Sequence, residues 1–485
     1  MWSALLSVFL PVIFLGRTEV HALTSYANDF VDPDFVVARI FGQYTVAAQA
    51  SILAWAKSLS RQGPWTVTSK TIEPPSNDIH DYMSWSPYWW PNCDNAGNTS
   101  ALPPEEIWKQ CTYVYHDGLF NPDARLINDV GNFQMLSDAV LYNAIAFALT
   151  SSGSSFYSMT AVNYIKTWFL DPATRMNPNL NFAQMKRGPQ GQVGSHTGVL
   201  DLKGMTKITA GIMILRKTQC TDWTPDLDNQ MIAWTQQYAQ WLETNPTAIL
   251  ESLAPNNHGT FYYNQLASLK LLVNDYEGAL NVTNAYFAHQ FLTQINATGE
   301  QPYEAVRTRP YHYRAYNLAG MITNARIWAY TTGDNSVWNK TSAQGASIKN
   351  ALDFAMGVPA VKSNEVAYTK ELYPSIAAVA AIYGDPSGKY ADFLANGFPG
   401  YASEAYFLWN QPLAGGMDES AAVLASLGIT GTEGVAAATG TTQGTPRTTS
   451  RRRPWDKFSG AVRVHAGSWV LPALVIAGLL YTLCS

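Results

Sequence analysis

The chain has 485 residues, a net charge of −5, 47% apolar residues and only 14% charged ones. This balance, with no basic helix, removes the electrostatic basis for binding nucleic acid, and it leaves ample material for a large core. Aromatic residues reach 13%, including 16 Trp; many lie in turn-like segments, where rings suit the apolar faces of sugars, while others fill the core.

In chain order, the N-terminus carries an apolar run from Leu5 to Leu15 and then Val20-His21-Ala22, small residues of the kind a signal peptidase reads. Residues 1–22 are expected to be a signal peptide, with the mature chain starting near Leu23. Apolar residues then recur at three- and four-residue steps over 34–60, 129–151, 197–217, 227–244, 261–275, 278–296, 313–333 and 347–357, each predicting a helix. Hairpin signals are scarce. Successive amphipathic helices joined by modest loops predict an all-α fold of helix hairpins wound into a toroid or solenoid across 23–427. The exception is the irregular stretch from Gln62 to Asn121, whose length marks it as functional.

Beyond the body, residues 428–458 are rich in Thr, Gly and Ala and cannot offset their ordering entropy, which predicts a flexible stalk. Residues 459–485 follow the pattern of a lipid-anchor signal: small residues at Ser459-Gly460-Ala461, a spacer, then an apolar tail; a short membrane-spanning helix is the competing reading. Asn98, Asn281, Asn296 and Asn339 each open an Asn-x-Ser/Thr sequon. Together these features predict the secretory pathway and a cell-surface or extracellular protein. Of the four cysteines, Cys93 and Cys111 enclose a short loop and are expected to pair in an oxidising compartment, while Cys220 reads as a small buried hydrophobe. No metal-ligand spacing or phosphate loop is present in the sequence, so no cofactor is expected.

Two stretches stand out chemically. "HDYMSWSPYWWPN" (His80 to Asn92) presents Tyr88, Trp89 and Trp90 between two prolines on a stiff, non-helical backbone. "APNNHGTFYYNQ" (Ala254 to Gln265) sets two amides beside an imidazole and then three rings. With "MNPNLNFAQ" (Met176 to Gln184) and "QPYEAVRTRPYHYRAYNL" (Gln301 to Leu318), they resemble the alginate-lyase domain family of polysaccharide lyases from about Ser25 to about Leu427. The resemblance implies an (α/α) toroid, a monomer acting on an acidic polysaccharide, and a cleft holding Asn257, His258, Arg307 and Tyr313. It departs from the family at "GPQGQVGSHTGVLD", which has no clear counterpart to a family Arg; His196 stands in part of that space.

A lyase removes the C5 proton of a uronate, weakly acidic because it lies beside an ionised carboxylate. Donors such as Asn257, His258 and the planar fork of Arg307 would stabilise the enolate-like charge. The family's tyrosine falls on Tyr313, as base and acid where the C5 hydrogen and O4 share one side of the ring; where they do not, His258 is the better base. A phenol ordinarily titrates near 10, so cations at Arg307, Arg309 or Arg314 would be needed. Tyr88, Trp89, Trp90, Gln184, Asn256 and Tyr262 are the expected substrate contacts.

Each assignment has a plainer competitor. His258 suits a helix cap, Tyr313 competes with Tyr311 and Tyr316, and Arg307 has Glu304 at ion-pair spacing. A helical toroid also suits a glycoside hydrolase recruiting two carboxyls among Asp81, Asp201 and Glu304, or a sugar-binding protein without turnover.

Overall fold

The periodic runs become helices whose ends are set by local chemistry. The computed structural model describes residues 30–410, apart from 40, 98–101, 151–154 and 190. The expected signal peptide, the stalk, the tail with Ser459 and the Asn98 sequon lie outside the described residues. In order come α1 (Pro33–Ala38), α2 (Val46–Leu59), α3 (Pro104–Gln110), α4 (Asp129–Leu149), α5 (Ser155–Ile165), α6 (Met205–Lys217), α7 (Pro225–Thr244) and α8 (Pro246–Ser252). The second half holds α9 (Asn257–Leu272), α10 (Tyr276–Ala288), α11 (Phe291–Gln294), α12 (Pro302–Ala305), α13 (Pro310–Thr332), α14 (Ile348–Met356), α15 (Tyr373–Tyr383) and α16 (Lys389–Gly397). α7 starts with Pro225 at its first position, and the Thr224 side chain accepts from the Leu227 N–H. α13 stops at Gly333, whose φ of 72° is left-handed.

Six helices, α2, α4, α6, α9, α13 and α15, pack each against the next, and the turn Ala405–Phe407 touches both α15 and α2, closing them into a ring. Outside this ring, α5 lies on α4, α7 on α9, α10 on α9 and α13, and α14 and α16 on α15. This is the all-α toroid expected from the sequence. α9 and α13 are buried nearly all round, as inner helices must be. Buried amide nitrogens tie them to their neighbours: Gln265 donates to the Val199 carbonyl at 2.9 Å and Asn324 to that of Thr260 at 3.0 Å.

Several boundaries differ from the sequence expectation. The run 34–60 divides into α1 and α2 because Arg39 turns left-handed, with φ 53°. The run 197–217 begins as a 3-10 turn (His196–Leu202) and becomes α-helical only at α6; the run 278–296 breaks at His289 into α10 and α11. α15 went unforeseen because its Ala-rich sequence is apolar on every face and shows no period.

The irregular segment folds as a strap with its own small core of Met83, Trp85, Ile127 and Met185. β1 (Met83–Trp85) pairs in parallel with β4 (Phe182–Met185), while β2 (Trp89–Asn92) pairs antiparallel with β3 (Thr112–Tyr115) in the register Trp89↔Tyr115 to Asn92↔Thr112. The Cys93–Cys111 disulfide, S–S 2.05 Å, clasps the end of that ladder, and Cys220 is a buried free thiol.

Candidate active site

A cavity of about 310 Å³ opens where the strap meets the ring, lined by Tyr88, Trp89, Gln184, Asn257, His258, Arg307 and Tyr313 among others. The start of α9 supplies two of these. Asn256 caps the helix by accepting from the His258 N–H at 3.2 Å, so capping falls to Asn256 and leaves the His258 ring free for other work. Gly259 lets this turn sit close to the chain before it: a Cβ there would stand 2.1 Å from the Ala254 carbonyl oxygen.

Three carboxylates hold the site's donors in place: Asp117 and Glu251, which the sequence reading did not single out, and Glu304, which it weighed only as a partner of Arg307 or a hydrolase carboxyl. Glu251, fully buried on α8, accepts from Nδ1 of His258 at 2.5 Å and from Nδ1 of His196 at 2.6 Å. Burial works against the Glu251 charge, but the two imidazoles outweigh it and hold its carboxyl below the usual range. With Nδ1 engaged, His258 has Nε2 left for the cavity. Glu304, also fully buried, accepts from the Asn257 backbone N–H and from its Nδ2, both at 2.8 Å, while Asn257 Oδ1 has no partner. Burial raises the Glu304 carboxyl, opposed by those two bonds. Glu304 therefore orients Asn257 rather than pairing with Arg307; α12 ends at Ala305, so the helical spacing on which that ion pair depended does not persist.

Arg307 instead meets Asp117 of the strap, donating from Nη2 to Oδ1 at 2.8 Å and from Nε to Oδ2 at 3.4 Å. Burial disfavours the cation, yet Asp117 and Tyr313 hold Arg307 above its ordinary range. Asp117 in turn, though partly desolvated, is pulled far below the ordinary carboxylate range by Arg307 and by the Thr308 N–H.

Tyr313, on the first turn of α13, accepts from Arg307 Nη2 at 2.9 Å, and its hydroxyl is 3.2 Å from that of Tyr88. The guanidinium carbon sits 3.8 Å from the Tyr313 ring centroid. Burial, reinforced by Tyr88, raises this phenol well above its usual value despite Arg307. The other two expected cations are elsewhere: Arg309 donates to Tyr368 and to the Gly118 carbonyl, and Arg314 is paired with Glu300. Among the competing rings, Tyr316 lines the cavity, whereas Tyr311 is buried with its hydroxyl on the Thr369 carbonyl.

The remaining expected contacts divide. Trp89 lines the cavity beside Tyr115, with the Lys186 ammonium 4.3 Å from its ring centroid. Trp90 is not among the lining residues; its indole donates to the Leu119 carbonyl at 2.9 Å and holds the strap. Tyr262 is likewise corrected: it points into the body, 5% exposed, donating to the Leu242 carbonyl, because its place on α9 faces α7. Gln184 adopts φ 44°, and its amide is held between Asp201, at 2.8 Å, and Thr197, at 2.8 Å. Asn281 and Asn339 are exposed, whereas the half-buried Asn296 accepts from the Thr298 and Glu300 N–H groups.

Of the carboxyls considered for hydrolysis, Asp81 is tied to Ser76 in the strap and to Asn177 beyond it, Glu304 is locked on Asn257, and Asp201 lines the cavity without an acidic partner there among the described residues. Among the described residues, two carboxyls flanking a bond, the hydrolase requirement, are not assembled in this cavity. Among the described residues, no group of three or more His, Cys, Asp or Glu side chains is placed to hold a metal ion.

The family model described as alginate lyase matches residues 66–366. The crystal structure of an alginate lyase from Bacteroides ovatus is 26% identical, with a TM-score of 0.67 over 80% of this chain and 100% of that one. Alginate lyase A1-III from Sphingomonas species A1 aligns at 15% identity and TM-score 0.35, covering 69% of this chain and 83% of its own. No curated protein matches the sequence.

Proposed function

The chain belongs to the alginate lyase family and is a polysaccharide lyase, and on that premise we propose that it cleaves a uronic-acid polymer, alginate or glucuronan, with Asn257, His258, Arg307 and Tyr313 as the reacting set. The carrying observation is the Tyr313 hydroxyl held 2.9 Å from Arg307 at the wall where His258 and Asn257 also meet. In the reaction a base takes the C5 proton, the C5 electron pair becomes the C4=C5 double bond, the C4–O4 bond breaks, and an acid protonates the departing O4. Charge accumulates on the uronate carboxylate, where Asn257 and Arg307 would bind more tightly in the transition state than before it. The Asn257 amide nitrogen supports this reading, because it gives one hydrogen to Glu304 and carries a second that a substrate carboxylate can accept.

Tyr313 keeps its proton through burial, which suits delivery to O4. The base then follows substrate configuration. Where C5–H and O4 lie on one side, as in mannuronate and glucuronate, Tyr313 does both tasks with Arg307 stabilising the phenolate. Where they lie on opposite sides, as in guluronate, His258 Nε2 takes the proton.

The test uses Tyr313→Phe and His258→Gln with polymannuronate, polyguluronate and glucuronan, following absorbance near 235 nm, as expected for the new double bond. Tyr313→Phe should lose turnover on all three, whereas His258→Gln should fail on polyguluronate and retain measurable turnover on the other two. Substantial activity of both variants on every polymer would overturn the assignment.

We also propose that the protein follows the secretory route and is held at the cell surface by a lipid anchor attached near Ser459, on the pattern of the two terminal segments and the sequons. A phosphatidylinositol-specific phospholipase should release it from cells. Resistance, with the C-terminal residues intact by mass spectrometry, would point to a spanning helix instead.

A further inference from the structure

A second chamber of about 450 Å³ adjoins the first and shares Tyr115, His258 and Arg307 with it. Its wall adds His196, Leu250 and Leu253, and among the described residues no acidic side chain lines it, Glu251 lying wholly beneath the surface. Leu250 and Leu253 are 58% and 67% exposed, an unusual state for neighbouring leucines on a wall that also carries two imidazoles and a guanidinium. His196 is held by the same carboxylate that holds His258: Nδ1 of each ring is on Glu251, and the ring centroids are 6.3 Å apart. The His196 side chain is 46% exposed, so its Nε2 edge is available to a ligand while the ring is fixed.

We propose that this chamber is the subsite for the uronate unit next to the one being cleaved, with His196, carrying a proton on each ring nitrogen, donating from Nε2 to that neighbour's carboxylate and Leu250 and Leu253 bearing on its ring. The inference rests on the uronate-lyase reading and adds to it a specificity residue outside the reacting set. The chemistry fits: a sugar acid presents one anionic edge and one apolar face, and the wall offers the exposed edge of His196 beside exposed leucines, while Arg307 is engaged by Asp117. The shared Glu251 holds the two imidazoles with their centroids 6.3 Å apart, so a chain whose reacting unit lies at His258 would bring its next unit toward His196. His196 thus selects for a run of acidic sugars rather than an isolated one.

The test compares the intact protein with His196→Ala on uronate oligomers of increasing length and on polymer in which part of the carboxyls has been reduced to alcohols. Equilibrium binding is measured alongside turnover. On unmodified polymer, His196→Ala should raise KM roughly ten-fold or more, the loss expected for one charge-assisted hydrogen bond, with kcat within about two-fold. The gap should close on oligomers too short to fill both chambers and on carboxyl-reduced polymer. An unchanged KM at every length, or a parallel fall in kcat on all substrates, would overturn the proposal. If the intact protein shows no elimination on any uronate polymer, the lyase reading fails separately. Calorimetry with a saturated tetra-uronate then decides the subsite, which stands only if His196→Ala weakens binding.

Discussion

Two opposing influences meet on the Tyr313 hydroxyl: burial with Tyr88 raises it, and Arg307 at 2.9 Å lowers it, with burial prevailing. A phenol held above its ordinary value near 10 gives a phenolate fraction that grows about ten-fold per pH unit throughout the neutral and mildly alkaline range. The same-side route, which needs phenolate, should therefore show log(kcat/KM) on polymannuronate rising with pH through about 9 without levelling. The opposite-side route on polyguluronate needs the neutral phenol as acid and should show no such alkaline rise. A mannuronate profile that flattens below about pH 8 would contradict the first expectation. At this scale the sequence disclosed the reacting types but not their holders. Asn257, His258, Arg307 and Tyr313 sit in recognisable strings, whereas Asp117, Glu251 and Glu304 owe their roles to pairings across the fold. Glu304 was visible but misleading, because i,i+3 logic presumes a helix that ends before Arg307.

Placement of the site depends on how two helices begin. α9 starts under its own Asn256 cap, but Arg309, at the cap of α13, makes no side-chain capping bond. Glu365, far along the chain, takes that part, accepting from the Tyr311 and His312 N–H groups at 2.9 and 3.0 Å. Glu365→Ala should cost about 1–2 kcal/mol, the scale of a lost cap, and lower kcat because Tyr313 lies on the same turn. Thermal unfolding and polymer turnover measured together check this; a lower melting temperature with unaltered kcat would detach the cap from catalysis. A cap supplied from so distant a segment has no local signature. Local caps are different: Ser347 and Asn350 form a reciprocal box at the start of α14, where the sequence predicts the helix with little boundary error.

Across the whole molecule, the ring supplies α9 and α13 while the strap supplies Tyr88, Trp89 and Asp117, so the cavity exists only while the strap stays seated. Its ladder is clasped by Cys93–Cys111, and closing a loop of 18-residue separation is worth about 3 kcal/mol by chain entropy. Reduction should lower the melting temperature and abolish turnover at milder conditions than those that melt the helices, since Asp117 then loosens its hold on Arg307. Circular dichroism followed in parallel with activity checks the order; simultaneous loss would mean that strap and ring form one cooperative unit. The toroid itself was legible from eight periodic runs. The strap was not, because its short strands and small core leave no period to read, only a length too great for a casual loop.

The closing contact of Ala405–Phe407 with α2 and α15 carries a consequence for biosynthesis. α2 leaves the ribosome among the first helices of the body, yet its last neighbour is made only at the far end of the described chain. Throughout elongation the growing chain must keep an unsealed apolar flank in solution, a state open to chaperones and proteases alike. A chain arrested just before Tyr401 should be digested far faster than one released after Asn410, and the cell's cost of making this enzyme should fall chiefly on that interval.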